Sequence, residues 1–255
     1  MKKSEVYKIL DQAYFGPKRH EDEELRLLPK LLNRCEIFVD VGASLGQYTK
    51  AASEALKGKK IISIEADPIR FERLTQNAIL WEQNGNENEI SVLNCAAGNS
   101  DGSVEFFTNN TNVSGSLTPI TGRVSSNKSV IVGIKKIDSL FKSNQENVVV
   151  KIDVEGSEYS VLKGMDKLLR NVNIEVLVEL HSWGDQNTKK YPHHVLSYLK
   201  DLGFFCYKTH AHFYFAKSQK EFKQHNYSFE IAKWWAKHVL RKVPLVRWFK
   251  VKVFG

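Results

Sequence analysis

Acidic side chains and one histidine follow two apolar runs in the second half of the sequence. Asp153 and Glu155 come directly after the run 148–152, and Glu179 and His181 end the next run. Alternate residues of an extended chain point to the same side, so Asp153 and Glu155 are expected to face together if the extended geometry continues past the strand. A positioned carboxylate or imidazole can remove the proton of an attacking hydroxyl group. We therefore predict Asp153, Glu155 and His181 as catalytic groups.

The same residues leave a second chemistry open. Clustered carboxylates with a histidine could instead hold a divalent ion. The spacing of these residues does not decide between proton transfer and metal binding, and a required metal is not favoured. Lys151 has the same strand parity as Asp153 and is expected to neutralise the acids. Glu158 follows Ser157, a predicted helix N-cap, and is expected to have the structural role of complementing the positive end of that helix.

Strands and helices alternate along the chain in a pattern that predicts an α/β fold. Short apolar runs indicate buried strands, and the amphipathic segments between them indicate helices. Repeated strand–helix units imply a mostly parallel sheet, here of seven strands, with helices on both faces and a C-terminal antiparallel hairpin. Short strands at 103–108 and 130–135 are expected in an irregular insertion at the C-terminal edge of the sheet. The predicted strands are 36–41, 60–65, 90–94, 148–152, 174–179, 204–208 and 212–216, and the predicted helices are 4–15, 21–33, 47–56, 68–81, 157–169 and 192–202.

A turn with two glycines joins the first predicted strand to its helix. Ligands of open α/β sheets bind at the carboxyl ends of the strands. Gly42 lets the backbone approach such a ligand, and Gly46 permits close packing at the helix start. The spacing is not the G-x-G-x-x-G of dinucleotide sites, because Ser44 stands at the middle position. Asp40 suits the ammonium group of an amino-acid-bearing cofactor better than a pyrophosphate, and Glu65 is placed to accept both hydroxyls of a ribose.

Five sequence motifs stand in order between residues 36 and 182. They are D-V-G-A-S-L-G-Q-Y-T (40–49), E-A-D-P (65–68), N-C-A-A-G-N-S-D-G (94–102), K-I-D-V-E-G-S-E-Y-S-V-L-K-G (151–164) and V-E-L-H (178–181). In order and spacing they resemble the motifs of the FkbM family of methyltransferases. The resemblance implies a class I methyltransferase (Rossmann-like) fold, S-adenosylmethionine as cofactor, and methyl transfer to an oxygen, commonly a sugar or polyketide hydroxyl. Ser44 stands where the family usually has Asn, and Ala66 stands where it usually has Pro.

The resemblance also implies which residues contact the cofactor. Asp40, Gly42 and Gly46 are expected to line its methionine part, Glu65 to meet the ribose, and residues 94–96 to flank the adenine. The predicted cofactor-binding residues are Asp40, Gly42, Ser44, Gly46, Tyr48, Thr49, Glu65, Ala66, Asp67, Asn94, Cys95, Ala96 and Asp153.

Two polar segments, 109–117 and 181–191, are expected to face the acceptor. Loops over the edge of an α/β sheet commonly carry specificity, and the Asn, Ser, Thr and Trp content of these segments suits a polyhydroxyl ligand. Loops that are merely solvated have a similar composition, so that interpretation stays open. The predicted acceptor-binding residues are Lys151, Glu179, Ser116 and Trp183.

The positive charge of the chain is concentrated in its C-terminal segment. Residues 227–255 contain seven basic residues and one acid, a net +6, which leaves +2 of the total +8 for the first 226 residues. The nearly neutral body argues against a nucleic-acid partner. The basic tail also carries Trp234, Trp235, Trp248 and Phe249, which is typical of a segment that lies on a membrane surface. A helix packed on its own domain is an equal alternative, and a homo-oligomer contact is a third.

These observations predict an enzyme in three parts: N-terminal helices (1–35), a Rossmann-like methyltransferase domain (36–218) and a basic amphipathic tail (219–255). No run approaches the roughly 20 apolar residues of a membrane span, and no secretory signal or Cys/His zinc pattern is present. We therefore expect a cytoplasmic, membrane-peripheral O-methyltransferase that acts on a sugar or glycan, including a lipid-linked one. A nicotinamide-dependent oxidoreductase and a non-catalytic scaffold recruited to membranes are the alternatives.

Overall fold

The computed structural model describes ten strands and six α-helices between residues 22 and 218. The strands are β1 (Ile37–Val41), β2 (Lys60–Ile64), β3 (Glu89–Leu93), β4 (Ala96–Ala97), β5 (Gly102–Phe107), β6 (Ser129–Lys135), β7 (Val148–Ile152), β8 (Ile174–Glu179), β9 (Phe205–Lys208) and β10 (His212–Ala216). The helices are α1 (Asp22–Leu31), α2 (Gln47–Ala55), α3 (Pro68–Glu82), α4 (Glu158–Lys163), α5 (Asp166–Asn171) and α6 (His193–Asp201), with a 3₁₀ helix at Ile137–Leu140. The described residues are 22–83, 85–108, 115–117, 129–142, 147–171, 173–181, 193–208 and 212–218.

Seven of the strands form one sheet in the order β3-β2-β1-β7-β8-β10-β9. The first five are parallel neighbours, whereas β10 pairs antiparallel with both β8 and β9. The prediction of a mostly parallel seven-stranded sheet with a terminal antiparallel hairpin is confirmed. The register pairs Val41 with Ile64 on one side and with Ile152 on the other, so β1, β2 and β7 end level with one another.

Alternate residues of the central strands face two separate hydrophobic cores. Val39 packs in one core with Val161 of α4 and Leu196 of α6. Its neighbour Phe38 packs in the other with Leu28 of α1 and residues of α2. All five residues of β1 and all five of β7 are buried, which explains why these strands are apolar on both faces, except at Asp40 and Lys151, and do not alternate with polar residues. Helices therefore cover both faces, as predicted.

A smaller three-stranded sheet, in the order β4-β6-β5, lies within the predicted insertion. β5 and β6 are antiparallel and match the predicted strands at 103–108 and 130–135. The two-residue strand β4 pairs parallel with β6 and was not predicted, because two alanines after β3 have no periodicity of their own. A small core of Ala96, Phe106, Val132 and Ile134 holds this sheet together.

One predicted helix is wrong in its continuity. The segment 157–169 forms two short helices, α4 and α5, because the chain turns at Gly164. A Cβ at Gly164 would lie 1.8 Å from the carbonyl oxygen of Gly98, so this close approach of backbone requires glycine. Asp138 then accepts hydrogen bonds at 3.0 Å from the amides of Lys167 and Leu168 at the start of α5. Ser157 precedes α4 but makes no capping hydrogen bond through its side chain.

The other predicted elements that fall on described residues agree with the structure to within two residues at each end. The predicted helix 4–15, most of segment 109–117, the loop 182–191 with Trp183, and the tail 219–255 lie outside the described residues. In the part of the chain that is described, no helix is both long and apolar enough to cross a membrane.

Candidate functional site

A cavity of about 490 Å³ opens at the carboxyl ends of β1, β2, β7 and β8, beside the small sheet. This is the edge where ligands of open α/β sheets bind. The predicted site residues that line it are Gly42, Ser44, Tyr48, Glu65, Ala66, Cys95, Ala96, Lys151, Asp153, Glu155, Glu179 and His181. The predicted site residues among the described ones that lie outside its lining are Asp40, Gly46, Thr49, Asp67, Asn94 and Ser116.

The turn after β1 follows a backbone path that only a few residue types adopt. Gly42, Ser44 and Gly46 have φ values of +74°, +53° and +89°. A Cβ on Gly42 would lie 1.8 Å from the carbonyl oxygen of Asp153, so the turn passes directly against the end of β7. A Cβ on Gly46 would lie 2.6–2.7 Å from side-chain atoms of Leu74 and Trp81, which confirms the close packing expected at the start of α2.

Asp40 lies behind the turn, with no exposed surface. Its Oδ2 accepts hydrogen bonds from the amide of Thr49 at 3.0 Å and from the hydroxyl of Thr49 at 2.7 Å. Its Oδ1 lies 3.6 Å from Nζ of Lys151. Burial raises the pKa of Asp40, and the charge of Lys151 and the Thr49 hydrogen bonds oppose that rise. In this structure the cation that Asp40 contacts is therefore Lys151.

Lys151 connects the turn to the acids at the end of β7. Its Nζ lies 3.5 Å from Oδ2 of Asp153 and 4.7 Å from the centre of the Tyr48 ring. Lys151 is 3% exposed, so its charge is compensated by these neighbours and not by water. Burial would raise the pKa of Asp153, but the charges of Lys151 and His181 outweigh this effect and lower it. The expectation that Lys151 neutralises the acids is confirmed for Asp153.

Glu65 and Arg70 form the part of the cavity that faces β2. One carboxylate oxygen of Glu65 accepts a hydrogen bond from the Ser44 amide at 2.7 Å, and the other accepts one from the Asp67 amide at 2.8 Å. Arg70 donates to the Ser44 hydroxyl at 3.3 Å. Burial raises the pKa of Glu65, and the charge of Arg70 opposes that rise. Arg70 was not among the predicted site residues, although its position three residues after Asp67, in the first turn of α3, was a usable signal.

Two neighbouring polar residues have structural contacts. Asp67 is the N-cap of α3, and its side chain accepts hydrogen bonds from the amides of Ile69 and Arg70. The Asn94 side chain donates to the carbonyl oxygen of Glu65 at 2.9 Å. These contacts hold the chain on either side of Ala66, which lines the cavity.

Four carboxylates surround the imidazole of His181. Its Nε2 lies 3.5 Å from Glu155, 3.7 Å from Glu179 and 3.8 Å from Asp153. Its Nδ1 lies 2.7 Å from Oε1 of Glu158. Burial would lower the pKa of His181, but the hydrogen bond to Glu158 and the charges of Glu158, Asp153 and Glu155 outweigh it and raise the pKa to about 9.

Glu155 reaches this cluster by a route different from the expected one. β7 ends at Ile152, and Glu155 has a φ of +53° in the turn that follows. The condition that the extended geometry continues past the strand is therefore not met at Glu155. The left-handed turn nevertheless brings Glu155 and Asp153 to the same imidazole.

Glu158 contacts His181, a role that was not predicted from the sequence. Its side chain is fully buried, and besides His181 it accepts a hydrogen bond from the Gly156 amide at 2.9 Å. Burial raises the pKa of Glu158, and the hydrogen bond to His181 opposes that rise. A buried carboxylate that holds one imidazole nitrogen leaves the other pointed at the cavity, so the structural role expected for Glu158 includes the positioning of His181.

The predicted acceptor-binding residues are only partly brought together. Lys151 and Glu179 line the cavity with Gly115 and Leu117 of the segment 109–117. Ser116, between these two residues, is 1% exposed and its backbone pairs with Phe107. Ser116 is not part of the cavity lining.

Comparison with known proteins identifies relatives of this chain. The model of the methyltransferase FkbM domain matches residues 40–206. The hexuronic acid methyltransferase AglP of Haloferax volcanii is 29% identical over 183 residues, which cover 71% of this chain and 68% of that protein.

The crystal structure of methyltransferase FkbM from Methylobacillus flagellatus KT matches with a TM-score of 0.52 at 18% identity. The match covers 81% of this chain and 47% of that one, so this chain spans about half the length of that protein. The family match extends over more than half of the chain, from the carboxyl end of β1 through β2, β7 and β8. The chain therefore belongs to the FkbM family of methyltransferases.

Proposed function

We propose that the protein transfers a methyl group from S-adenosylmethionine to a hydroxyl of a sugar or glycan. The observation that carries this proposal is that one cavity joins the glycine turn and Glu65 to the acids around His181. A cofactor held at the first set of residues would have its reactive end directed towards the second. Methyl transfer to oxygen needs little more than this alignment and a group that takes up the hydroxyl proton.

Residues at the ends of β1 and β2 are suited to hold the cofactor. Each carboxylate oxygen of Glu65 accepts one backbone hydrogen bond, and a carboxylate has about four acceptor positions. Two positions therefore remain for the two ribose hydroxyls. Cys95 and Ala96 offer an apolar wall for the adenine, and Gly42 lets the methionine part approach the backbone.

The acids at the ends of β7 and β8 are suited to receive the hydroxyl. Because Lys151 and His181 lower the pKa of Asp153, its carboxylate is ionised at neutral pH and can accept the hydrogen bond of an acceptor hydroxyl. Glu155 and Glu179 are further acceptors at the same place. His181, with a pKa of about 9, is a cation at neutral pH and becomes a base only as the pH approaches that value.

The acceptor class rests on relatives and composition. The relative AglP is named as a hexuronic acid methyltransferase, and the polar composition of the sequence segments 109–117 and 181–191 suits a sugar. The G-x-G-x-x-G spacing of dinucleotide sites is missing from the turn, which argues against the nicotinamide alternative. Titration with NADH, followed by fluorescence, tests that alternative directly.

Isothermal titration with S-adenosylhomocysteine tests the cofactor half of the proposal. We expect saturable binding to the parent chain and binding about tenfold weaker or more to Glu65→Gln, because a charged hydrogen-bond acceptor is lost. Glu89→Gln is the matched control, since Glu89 is exposed on β3. Circular dichroism shows whether each variant is folded. A folded parent chain that gives no saturable heat would mean that the cofactor class is wrong.

Transfer of a labelled methyl group to a panel of sugars and glycans tests the acceptor half. Glu155→Gln is expected to bind S-adenosylhomocysteine like the parent chain and to lose most of its transfer activity. Equal activity of Glu155→Gln and the parent chain would contradict the role given to Glu155.

A further inference from the structure

We propose that Asp153, Glu179 and His181 form a binding site for a divalent transition-metal ion. One donor atom of each residue lies within 4.8 Å of the other two. The three residues come from the ends of the neighbouring strands β7 and β8, so the sheet itself fixes their spacing. The ion site does not depend on the identity of the acceptor.

The distances between the donor atoms suit an ion and do not suit hydrogen bonds. Nε2 of His181 lies 3.8 Å from Asp153 and 3.7 Å from Glu179, beyond the 2.7–3.2 Å typical of hydrogen bonds to nitrogen. Two ligands about 2.0–2.2 Å from a tetrahedral ion lie roughly 3.3–3.6 Å apart. The two distances from Nε2 exceed this range by only a few tenths of an ångström.

The orientation of the imidazole is a second, independent observation that points to a metal. Nδ1 of His181 is held at 2.7 Å by Glu158, a carboxylate with no exposed surface. Metal-bound histidines almost always donate their second ring N–H to such an outer carboxylate or carbonyl, which fixes the ring. The other carboxylate oxygen of Glu179 lies 3.6 Å from Nε2 of the buried His212, which is longer than a hydrogen bond.

The surroundings of the three residues are strongly acidic. Four carboxylates lie within 4 Å of the ring nitrogens of His181. Lys151 lies against one of them, Asp153, and shares its charge with Asp40. A divalent ion would displace the proton from Nε2 of His181 and would be stabilised by the carboxylates in this largely buried place.

The donor set selects the class of ion. Calcium and magnesium prefer oxygen ligands alone, whereas one imidazole with two carboxylates suits a first-row transition metal such as Mn²⁺ or Zn²⁺. Asp153 and Glu179 remain 22% and 29% exposed, so the ion would keep open positions towards the cavity. If the proposed function holds, an acceptor hydroxyl bound there would lose its proton to Glu155 more readily than a free one.

Titration of the EDTA-treated full chain with Mn²⁺ alone, followed by the electron paramagnetic resonance signal of the free ion, tests this site. We expect one bound ion per chain, with about tenfold weaker binding or more in Glu179→Gln and about 10–100-fold weaker binding in Glu158→Gln. Glu89→Gln is again the control and should bind like the parent chain. An excess of Mg²⁺ should displace little Mn²⁺.

Titration with S-adenosylhomocysteine on the same samples separates the two proposals. A folded parent chain that binds the cofactor product but no Mn²⁺ at millimolar concentration would overturn the metal site and leave the proposed function intact. Binding of several ions that Glu179→Gln does not weaken would overturn the site as well.

Discussion

Replacement of Lys151 by methionine should lower the free energy of unfolding, because it removes the cation from a buried group of carboxylates. Lys151 is 3% exposed and lies between Asp40, which has no exposed surface, and Asp153. Methionine has a similar length and preserves most of the packing, but it leaves the Asp40 carboxylate buried without its cation. Removal of one partner of a buried ion pair typically costs about 3–5 kcal/mol, a large share of the roughly 5–15 kcal/mol that stabilises a domain.

The pH dependence of this loss follows from the pKa of Asp40. Burial already raises that pKa and Lys151 opposes the rise, so the pKa should rise further in Lys151→Met. A carboxyl group with a pKa that is higher in the folded state binds its proton more tightly there, and folding is then favoured as the pH falls. The deficit of Lys151→Met relative to the parent chain should therefore be smaller at pH 5 than at pH 8. A second change, Asp40→Asn, should restore part of the lost stability.

Urea denaturation at constant ionic strength, followed by tryptophan fluorescence, measures these differences. Lys50→Met is the matched control, because Lys50 forms a surface ion pair with Glu54 at 3.6 Å and its side chain is 41% exposed. That control should lose less than about 1 kcal/mol. The reasoning is refuted if Lys151→Met loses no more stability than Lys50→Met, or if its deficit is the same at both pH values.

Three further predictions concern other parts of the molecule. Gly42→Ala should unfold the chain or abolish binding of S-adenosylhomocysteine, because the added Cβ would lie 1.8 Å from the Asp153 carbonyl oxygen. Gly58 also has a positive φ but has open space around it, so Gly58→Ala should lower the free energy of unfolding in urea by only about 1–2 kcal/mol. Asp67→Ala should lose about 1 kcal/mol with the α3 cap, and Asp67→Asn should keep most of it. Burial raises the pKa of Cys35 to about 12, so iodoacetamide at pH 8.5 should label this thiol slowly in the native chain and fully in urea, as mass spectrometry can show; equal rates would contradict its burial.

The sheet was predictable because its strands are apolar on both faces. Each run such as Val148–Ile152 is bounded by polar residues or glycines, so its length and place are visible in the sequence alone. The break between α4 and α5 could not be predicted, since it depends on Gly98 and Asp138, which lie far from Gly164 in the sequence. β4 was missed for the same reason, because only its pairing with β6 defines it.

The candidate site was predictable where residue type and strand position coincide. Glu65, Asp153 and His181 follow the ends of β2, β7 and β8, and the level ends of those strands bring them to one cavity. The role of Glu158 was hidden because an acid at the start of a helix is usually explained by the helix dipole. The sequence left a metal open without favouring it, and the distances and the orientation of His181 now supply the argument that spacing could not.

The position of β10 has a consequence for how the chain acquires its structure during synthesis. β10 lies between β8 and β9 in the sheet, although it follows β9 in the chain. β9 can therefore join the sheet only after the ribosome has made β10. Until residues 212–216 emerge, β8 presents an unpaired edge, and exposed edges invite pairing with other chains. Release of a nascent chain that stops before 212 should therefore give an aggregation-prone species, whereas release after 218 should not.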